Sequence, residues 1–571
     1  MFDKRPAYST HRTIRYTHMI EIKNLTFAYT GREKPTICNI NLSVKPGDFV
    51  VLCGPTGCGK STLLRQLKPA IAPAGKLDGE ISFCGKNITE YRDRELAEKI
   101  GFVMQNSGHQ IVCDKVWHEL AFGLESIGTK QEVMRRRIAE TAGYFGLEKY
   151  FYSDVEVLSG GQKQILSLAS VMVMRPLVLV LDEPVSQLDP ASAEKFLTLI
   201  GRINKDLGVT VILSEHRTDD VLTYADRLVV MEEGHMVCDD TPERSAAFLK
   251  RTGSRMFLAM PASARIFDKE EKLPMTVRDA RLVLTDKIRG GVKRQNEVTD
   301  SMEDLNTEKT GKNYPPVMTC KDISFRYDRD DIVKDLSIDI YGGEVLAILG
   351  ANGSGKSTLL SLLARINRPY SGKIVFMGKD IKRYSEKEFY RDGVAMLPQD
   401  PQTLFVKDSV REELLNIAKT LNLEMECEEI VDGLMDLMEL KDLADRHPYD
   451  LSGGEQQKLA IAMVLAVRPR LILMDEPTKG MDAAFKSVFA DVLKNLTAEG
   501  ISVVLVSHDT EFCAEHADRC ALMFCGEITD VSDPKSFFGD NFFVSPAAAR
   551  IANGLLPGAV TVECVKRICP D

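Results

Sequence analysis

Apolar and polar positions alternate in blocks along this chain of 571 residues. Residues 20–29 alternate apolar with polar positions, as expected of a strand with one buried face. Continuous apolar runs at residues 49–52 and 177–181 predict strands that are buried on both faces of a parallel sheet. Helix-like stretches separate these runs, so the pattern predicts an α/β fold.

The same succession of blocks returns later in the chain at an offset of roughly 290 residues, which is typical of a duplicated domain. We therefore predict a first domain over residues 19–288, called the front half, and a second over residues 317–571, called the back half. Residues 1–18 would form an N-terminal extension. Residues 289–316 are rich in charged residues, Asn, Gly and Thr, and are predicted to be a flexible linker.

Two smaller features also occur twice. Helical stretches near residues 131–144 and 425–443 predict a helical subdomain inserted into each half. The segment 261–266 is similar to the segment 546–551. Each half is therefore expected to end in a short helical extension, and the duplicated unit includes that extension.

Length, composition and charge exclude several classes of protein. The chain is too long for one core, and 44% hydrophobic with 27% charged residues is typical of a globular protein. No apolar run approaches the length of about 20 residues that a membrane-spanning helix needs. The formal net charge of −10 argues against a broad nucleic-acid-binding surface and leaves a local basic patch open. The first 18 residues lack the apolar segment of a secretory signal.

A glycine-rich loop follows an apolar strand and precedes a helix in each half. The pattern G-x-x-x-x-G-K-[ST] provides backbone N–H groups that surround phosphate oxygens, a lysine for the terminal phosphates and a hydroxyl for Mg²⁺. The front loop consists of Gly54, Pro55, Thr56, Gly57, Cys58, Gly59, Lys60, Ser61 and Thr62. The back loop consists of Gly350, Ala351, Asn352, Gly353, Ser354, Gly355, Lys356, Ser357 and Thr358. Two copies, each between an apolar strand and a helix, argue against a chance match.

Two carboxylates end a later apolar strand of each half. They are Asp182 and Glu183 in the front half, and Asp475 and Glu476 in the back half. The carboxyl ends of buried parallel strands form the sheet edge at which such folds bind ligands. The first carboxylate is suited to Mg²⁺, and the second is suited to polarising an attacking water.

A Leu-Ser-Gly-Gly segment, which we call the signature, begins a helix in each half, where a serine hydroxyl and glycine N–H groups form an anion site. Its residues are Ser159, Gly160, Gly161 and Gln162 in the front half and Ser452, Gly453, Gly454 and Glu455 in the back half. The order of phosphate loop, glutamine, signature, acidic strand and histidine resembles the nucleotide-binding domains of ABC ATPases. The glutamines are Gln105 and Gln399, and the histidines are His216 and His508.

This resemblance covers nearly the whole chain and implies two tandem P-loop NTPase domains. Each would have a mostly parallel sheet, an antiparallel β subdomain and a helical subdomain. The resemblance also implies that the signature of one half closes over the phosphate loop of the other, so that the halves pair within one polypeptide. ATP and Mg²⁺ would then bind at two composite sites, and both are expected to hydrolyse ATP to ADP and phosphate.

The resemblance further implies roles for single residues. Tyr29 and Tyr327 match the aromatic residue that stacks on adenine, with an ordinary structural role at a strand end as the alternative. The implied catalytic residues, including the histidine sensor of the γ-phosphate, are Glu183, Glu476, His216 and His508. The implied magnesium ligands are Ser61, Gln105, Asp182, Ser357, Gln399 and Asp475.

The segment after the first glutamine is similar to one branch of this family. Residues 105–112 and 116–124 resemble the pattern Q-N-P-D-x-Q-x-F followed by V-x-x-E-x-A-F-G of the energy-coupling-factor ATPases, with Ser107 and Gly108 in place of Pro-Asp. This resemblance implies the motor of an importer for a vitamin or a transition-metal ion. The implied partners are a transmembrane coupling protein and a substrate-capturing membrane protein. They would hold the chain at the cytoplasmic face of the cell membrane as a peripheral protein.

Two other classes share this layout. Tandem ABC ATPases also act on the ribosome as translation factors, and other ABC transporters use related motors. The ribosomal class typically shows an N-H-L-D stretch, whereas this chain has Ser-Gln-Leu-Asp at residues 186–189 and Lys-Gly-Met-Asp at residues 479–482. Its linker is usually long and basic, whereas residues 289–312 are short and mixed in charge. The sequence therefore favours a transport motor over the ribosomal class, and a motor of another ABC transporter class stays as an alternative.

Overall fold

The structure is a computed structural model that describes residues 17–31, 34–105, 107–186, 188–216, 218–289, 315–391, 393–420, 427–541 and 544–568. Most of the predicted N-terminal extension and of the predicted linker lies outside these residues. The domain boundaries that we placed there therefore stay predictions. The fold of each half, however, lies almost wholly within the described residues.

The front half contains a six-stranded and a four-stranded sheet. Its strands are β1 (Ile20–Tyr29), β2 (Ile37–Val44), β3 (Phe49–Cys53), β4 (Gly75–Phe83), β5 (Lys86–Asn87), β6 (Ile100–Val103), β7 (Val178–Asp182), β8 (Thr210–Ser214), β9 (Arg227–Glu232) and β10 (His235–Asp240). The larger sheet has the order β10-β9-β3-β8-β7-β6, and only its edge pair β9–β10 is antiparallel. The smaller sheet has the order β2-β1-β4-β5 and is antiparallel throughout.

The back half repeats this arrangement. Its strands are β11 (Pro316–Arg326), β12 (Asp331–Tyr341), β13 (Val345–Leu349), β14 (Ser371–Phe376), β15 (Lys379–Asp380), β16 (Val394–Leu397), β17 (Leu471–Asp475), β18 (Ser502–Val506), β19 (Arg519–Phe524) and β20 (Glu527–Ser532). The larger sheet has the order β16-β17-β18-β13-β19-β20, and the smaller one the order β12-β11-β14-β15. The predicted tandem α/β fold with parallel cores and antiparallel subdomains is confirmed.

Helices cover the sheets of both halves. The front half contains the helices Lys60–Gln66, Asp93–Lys99, Ser107–Gln110, Val116–Ser126, Gln131–Phe145, Gly160–Met172, Pro190–Leu207, Pro242–Thr252, Ala262–Ile266 and Val277–Arg289. The back half contains Lys356–Leu363, Glu386–Arg391, Val410–Thr420, Cys427–Leu437, Gly453–Ala466, Ala483–Ala498, Thr510–His516, Pro534–Asp540, Ala547–Ala552 and Val562–Ile568. In the part of the chain that the structure describes, none of the helices is long and apolar enough to cross a bilayer.

Burial explains why the central strands read as unbroken apolar runs. Every residue of β3, β7 and β8 is buried, because both faces of the larger sheet are covered. One face packs against helices, and the other packs against the smaller sheet and the helix Lys60–Gln66. The three strands are parallel neighbours, so their carboxyl ends meet at one edge. That edge carries the phosphate loop, the two carboxylates and the histidine of the front half, and the back half repeats it.

The C-terminal helices of the two halves share one hydrophobic cluster. Helix Ala262–Ile266 contributes Ala262 and Ile266, and helix Ala547–Ala552 contributes Ala548 and Ile551, all of them buried. Burial of apolar surface between these helices stabilises the contact by about 25 cal/mol for each Å² removed from water. The extensions therefore join the two halves.

Polar contacts surround this cluster. Arg281 Nη1 donates hydrogen bonds to the carbonyl oxygens of Arg550 (2.7 Å) and Asn553 (2.9 Å), at the end of a helix of the other half. Lys566 Nζ lies 2.8 Å from Asp268 Oδ2. Carbonyl groups at a helix C-terminus lack partners within the helix, so the Arg281 guanidinium satisfies groups that would otherwise need water.

Candidate functional site

The front phosphate loop joins β3 to the helix Lys60–Gln66 and encloses the Lys60 side chain. Lys60 is buried, and its Nζ donates hydrogen bonds to the carbonyl oxygens of Gly54 (2.8 Å) and Pro55 (2.9 Å). Gly59 has φ 103°, and a Cβ there would lie 2.7 Å from Ile37 Cγ2. Only glycine fits this position. The carbonyl groups of the loop hold the Lys60 ammonium group at the helix N-terminus, where phosphates bind.

Asp182, the last residue of β7, accepts two hydroxyl hydrogen bonds. Ser61 Oγ donates to Asp182 Oδ1 at 2.8 Å, and Ser214 Oγ donates to the same oxygen at 2.9 Å. Burial, followed by the neighbouring Glu183, raises the pKa of Asp182, and the two hydroxyls oppose this rise. A buried carboxylate beside a hydroxyl is a fitting donor set for Mg²⁺. The sequence analysis named Ser61 and Asp182 but missed Ser214.

Glu183 follows with a left-handed backbone, φ 44°, which turns its side chain toward the histidine and the glutamine. Gln105 Nε2 donates to Glu183 Oε2 at 2.8 Å, and His216 Nε2 lies 2.8 Å from Glu183 Oε1. Burial raises the pKa of Glu183, but His216 and Lys60 outweigh burial and leave the pKa below its usual value. The carboxylate is therefore ionised at neutral pH and can accept a proton.

The back half places its residues in the same way. Lys356 Nζ donates to the carbonyl oxygens of Gly350 (2.8 Å) and Ala351 (2.9 Å). Burial lowers the pKa of Lys356, while the carboxylates of Glu476, Asp475 and, from the front half, Asp189 oppose the decrease. Asp189 of the front half lines the same cavity as Lys356.

Asp475 and its neighbours repeat the carboxylate arrangement with some differences. Burial raises the pKa of Asp475, opposed by its hydrogen bond with Ser357. His508 Nε2 lies 3.3 Å from Glu476 Oε1 and 2.9 Å from Asn352 Oδ1. Gln399 is exposed and lines the same cavity as Lys356, whereas Gln105 is bonded to its glutamate.

The two tyrosines differ in exposure. The hydroxyl of Tyr29, a half-buried residue, is 2.9 Å from Thr62 Oγ1, at the end of the front phosphate loop. Tyr327 is 59% exposed, and its hydroxyl accepts a hydrogen bond of 3.2 Å from Asn367 Nδ2. More than half of the Tyr327 surface is therefore open to solvent, whereas Tyr29 contacts the end of the front phosphate loop.

The signatures cap two long helices. Ser159 caps Gly160–Met172 and accepts a hydrogen bond from Gln162 N at 3.3 Å, and Ser159 N donates to Gln162 Oε1 at 2.8 Å. Ser452 caps Gly453–Ala466 with Glu455 in the place of that glutamine. Both segments thus present helix N-termini, which favour anions.

At one seam between the halves, the back signature touches the front phosphate loop. Thr56 N donates to Asp482 Oδ2 at 3.0 Å, and Thr56 Oγ1 donates to the Gly480 carbonyl at 3.3 Å. A Cβ on Gly454 would lie 2.7 Å from Thr56 Cγ2. We call this seam, with Lys60 on one side and the back signature on the other, the front site. Its halves are in direct contact.

The second seam, which we call the back site, pairs the back phosphate loop with the front signature. Both line a cavity of about 2140 Å³, to which Lys356, Glu476, Ser159 and Gly160 contribute and which extends to Arg265 and Lys566 of the C-terminal extensions. A Cβ on Gly353 would meet no described atom within 4 Å. This seam is therefore wider than the front site.

The structure thus brings both sets of predicted residues to the seams between the halves. The remaining predicted loop and signature residues belong to the same segments and are Gly57, Cys58, Ser354, Gly355, Thr358, Gly161 and Gly453. Asp482, which accepts a hydrogen bond from the opposite phosphate loop, appears in the sequence analysis only as the last residue of the Lys-Gly-Met-Asp stretch. Its position after the acidic strand did not indicate that Asp482 Oδ2 accepts a hydrogen bond from the other half.

Comparison with known families decides the class of protein. A family model described as ABC transporter matches residues 37–186 and 333–479, which together span both phosphate loops and both acidic strands. The chain belongs to the ABC transporter family. Its two ABC domains bind and hydrolyse ATP, so the predicted ATPase activity is confirmed.

Relatives of similar length accompany this match. A Bacillus cereus protein, provisionally named ABC transporter ATP-binding protein, is 38% identical over 96% of this chain and 98% of its own length. A Methanosarcina mazei protein with the same provisional name is 33% identical over 96% of both chains. The tandem arrangement of two ABC domains is therefore shared with proteins from distant organisms.

One solved structure is also similar. It is cbiO1 from Clostridium perfringens, part of the ABC transporter complex cbiONQ, which is 29% identical to this ABC protein. The similarity covers 42% of this chain and 96% of that chain, with a TM-score of 0.38.

Proposed function

We propose that this ABC protein is the ATP-hydrolysing motor of a membrane importer of the energy-coupling-factor type, with two composite ATP sites between its halves. The observation that carries the composite sites is the contact of Thr56 with Asp482 and Gly454, across the seam. Residues of both halves thus surround one phosphate loop. An ATP molecule bound there would touch groups that neither half has alone.

The residues of the front site divide the chemical work. Lys60 and the loop N–H groups bind the phosphates, and the Ser452 hydroxyl and the back signature N–H groups approach the γ-phosphate from the other side. Ser61 and Asp182, with Gln105, would hold Mg²⁺, which neutralises charge on the phosphates when bound.

Glu183 orients the attacking water and accepts its proton. His216 holds that carboxylate in place through the 2.8 Å contact and senses the γ-phosphate. Because phosphoryl transfer depends mostly on positioning and on charge neutralisation, these fixed groups account for the catalysis. Glu476 and His508 do the same at the back site, opposite Ser159.

An exposed apolar surface supports a membrane partner. Trp117 and Phe122, on the helix Val116–Ser126 of the front helical subdomain, are 39% and 43% exposed, and Val112 just before the helix is 67% exposed. Exposed apolar groups of this kind mark protein interaction surfaces. The segment follows Gln105 directly, so a partner that docks there reaches the ATP site through a few residues.

The proposed partner at this surface is a transmembrane coupling protein, which works with a separate membrane protein that captures a vitamin or a transition-metal ion. The motif resemblance of residues 105–112 and 116–124 supports this choice. The chain would then be held at the cytoplasmic face of the membrane by its partner. The transported substrate would make no contact with this chain.

Glu183→Gln and Glu476→Gln, made separately, test the composite sites. Each exchange removes one base and nearly keeps the size of the side chain, so each should lower phosphate release and leave the other site working. Glu499→Gln, an exposed position remote from both seams, is the matched control. Full phosphate release in either of the two site variants would contradict two working sites.

Co-purification tests the transport role. The full chain, isolated from detergent-solubilised membranes, should bring an integral membrane protein with it, and Trp117→Ala with Phe122→Ala should weaken that recovery. Recovery with ribosomes and no integral membrane protein would instead assign the chain to the translation factors. A membrane partner with no separate substrate-capturing protein would indicate another ABC transporter class.

A further inference from the structure

The two signatures differ at their fourth residue, and the structure shows what that difference does to the signature serine. In the back signature Glu455 Oε2 accepts hydrogen bonds from both Ser452 N and Ser452 Oγ, each at 2.7 Å. In the front signature Gln162 Oε1 accepts from Ser159 N at 2.8 Å, and Ser159 Oγ accepts from Gln162 N. The serine hydroxyl therefore donates its proton to the glutamate only in the back signature.

Side-chain chemistry makes the bond to the serine hydroxyl in the back signature a strong one. An ionised carboxylate only accepts hydrogen bonds, whereas the amide of glutamine also donates. Among the contacts of the described residues, Ser159 Oγ accepts a hydrogen bond and donates none, so its hydrogen is left for a ligand. The hydrogen of Ser452 Oγ is held in a charge-assisted bond, which is roughly twice as strong as a neutral one. Ser452 must break that bond before it can donate to a phosphate.

The position of Glu455 adds a charge effect. Its Oε1 lies 3.8 Å from where a Cβ on Gly57 would be, in the front phosphate loop. Within the described residues, no ion pair is formed by Glu455 with a lysine, arginine or histidine. Its negative charge therefore faces the loop that binds phosphates and opposes their approach. Gln162 has no such charge at the back site.

We propose that Glu455 makes the front site the slower of the two ATP sites, and that it acts as a positioning residue by holding the hydroxyl of Ser452 away from the γ-phosphate. The inference rests on the proposed composite sites. The back site, completed by Ser159 and Gln162, then carries the faster turnover. The chain thus pairs two complete sets of catalytic residues with two unequal signatures.

Exchange of the two fourth residues tests this inference. Glu455→Gln, in a chain that also has Glu476→Gln, leaves only front-site hydrolysis to measure. We expect kcat to rise by about three- to tenfold, below the roughly 10²- to 10³-fold that a completely lost oxyanion donor costs. KM for ATP should fall as well, because a charge facing the phosphates is removed. Gln162→Glu, combined with Glu183→Gln, should lower back-site kcat by a similar factor.

A single-turnover experiment gives a second readout, for which neither ATP site needs to be inactivated by mutation. The original chain should release phosphate in two phases of equal amplitude, and Glu455→Gln alone should merge them into one. Thermal unfolding identifies a merely structural effect, because Gln keeps the capping hydrogen bond with Ser452 N. An unchanged unfolding temperature with changed kinetics supports the positioning role.

The results separate failure of this inference from failure of the proposed sites. If Glu183→Gln and Glu476→Gln each lower phosphate release but Glu455→Gln changes neither kcat nor the phases, the inference is overturned and the composite sites stand. If neither glutamate variant lowers phosphate release, the composite sites fail and the inference fails with them. A slower front site after Glu455→Gln would also overturn the inference.

Discussion

Arg265 and Glu511 are separated by 246 residues in sequence, and Arg265 Nη2 donates hydrogen bonds of 2.7 Å to each of the two carboxylate oxygens of Glu511. Arg265 belongs to the C-terminal extension of the front half, and Glu511 follows His508 of the back half by three residues. Asp219, three residues after His216, accepts a hydrogen bond from Ala262 N of the same extension. The extension therefore connects the histidine segments of both ATP sites.

Arg265→Ala should destabilise the contact between the halves strongly. Both side chains of the pair are mostly buried, and removal of one partner of a buried pair costs about 3–5 kcal/mol because a charge is left unpaired. We expect a lower unfolding temperature and slower phosphate release. Arg244→Ala is the control, since its contact with Asp240 lies at the surface and contributes little. Equal unfolding temperatures for the two variants would contradict this prediction.

Glu515 should make stability depend on pH. Burial, followed by the charge of Glu511, raises the pKa of Glu515 to about 7 in the fold, from an ordinary value of 4.5. The groups facing it are Glu511, Asp509, Glu563, Arg265 and His516. Because the folded state binds this proton more tightly, the contribution of Glu515 to stability is complete below about pH 4.5 and is lost as the pH rises through 7.

Glu515→Gln removes this titration. Unfolding temperatures measured between about pH 5 and pH 8 should fall less steeply for this variant than for the original chain, so that the variant is relatively more stable at the alkaline end. Glu499→Gln, at an exposed position, should leave the pH profile unchanged. Parallel profiles for Glu515→Gln and the original chain would show that Glu515 does not titrate in this range.

Asp482→Asn should loosen the front site. Asp482 Oδ1 caps its own helix by accepting from Phe485 N, and Oδ2 accepts from Thr56 N across the seam. Asn keeps the first acceptor and loses the second, so a fluorescent ATP analogue should dissociate about tenfold faster from the front site.

Asp189→Asn is the matched variant for that experiment. Both oxygens of Asp189 are bonded to Ser192 of its own helix, N at 3.0 Å and Oγ at 2.9 Å, and Phe485 stands in the place of Ser192 in the back half. Asp189→Asn should therefore change nucleotide dissociation less than Asp482→Asn. Identical effects would show that the seam contact is not specific to Asp482.

Ser214→Val should raise the Mg²⁺ requirement of the front site. Ser214 pairs with Asp182 in register, and its hydroxyl lowers the pKa of that carboxylate by donating to it. Val506 stands opposite Asp475 in the back half. Without the hydroxyl, a larger share of Asp182 is protonated, so the Mg²⁺ concentration for half-maximal phosphate release should rise about three- to tenfold. Val506→Ser should lower the requirement at the back site, and unaltered Mg²⁺ curves for both variants would contradict the role of Ser214.

The strands of the two parallel sheets could be predicted from the sequence, because each is marked by a run of consecutive apolar residues. The apolar run at residues 49–52 lies within β3, since a strand covered on both faces needs an apolar residue at every position. The glycines and the lysine of each phosphate loop were identified for a similar reason. The loop must bring backbone N–H groups to a helix N-terminus, and few residue types allow that within a few positions.

What the sequence by itself determined is thus the duplicated α/β fold, the two sets of phosphate-binding and acidic residues, and membership of the ABC ATPases. Only the tertiary structure decided which groups meet across the seams. Thr56 binds Asp482 and Arg265 binds Glu511, and neither pair has a periodicity or a spacing that marks its partner. Hydrogen bonds and ion pairs between distant residues depend on how whole domains pack, and a linear pattern records which groups are present but not which of them become neighbours.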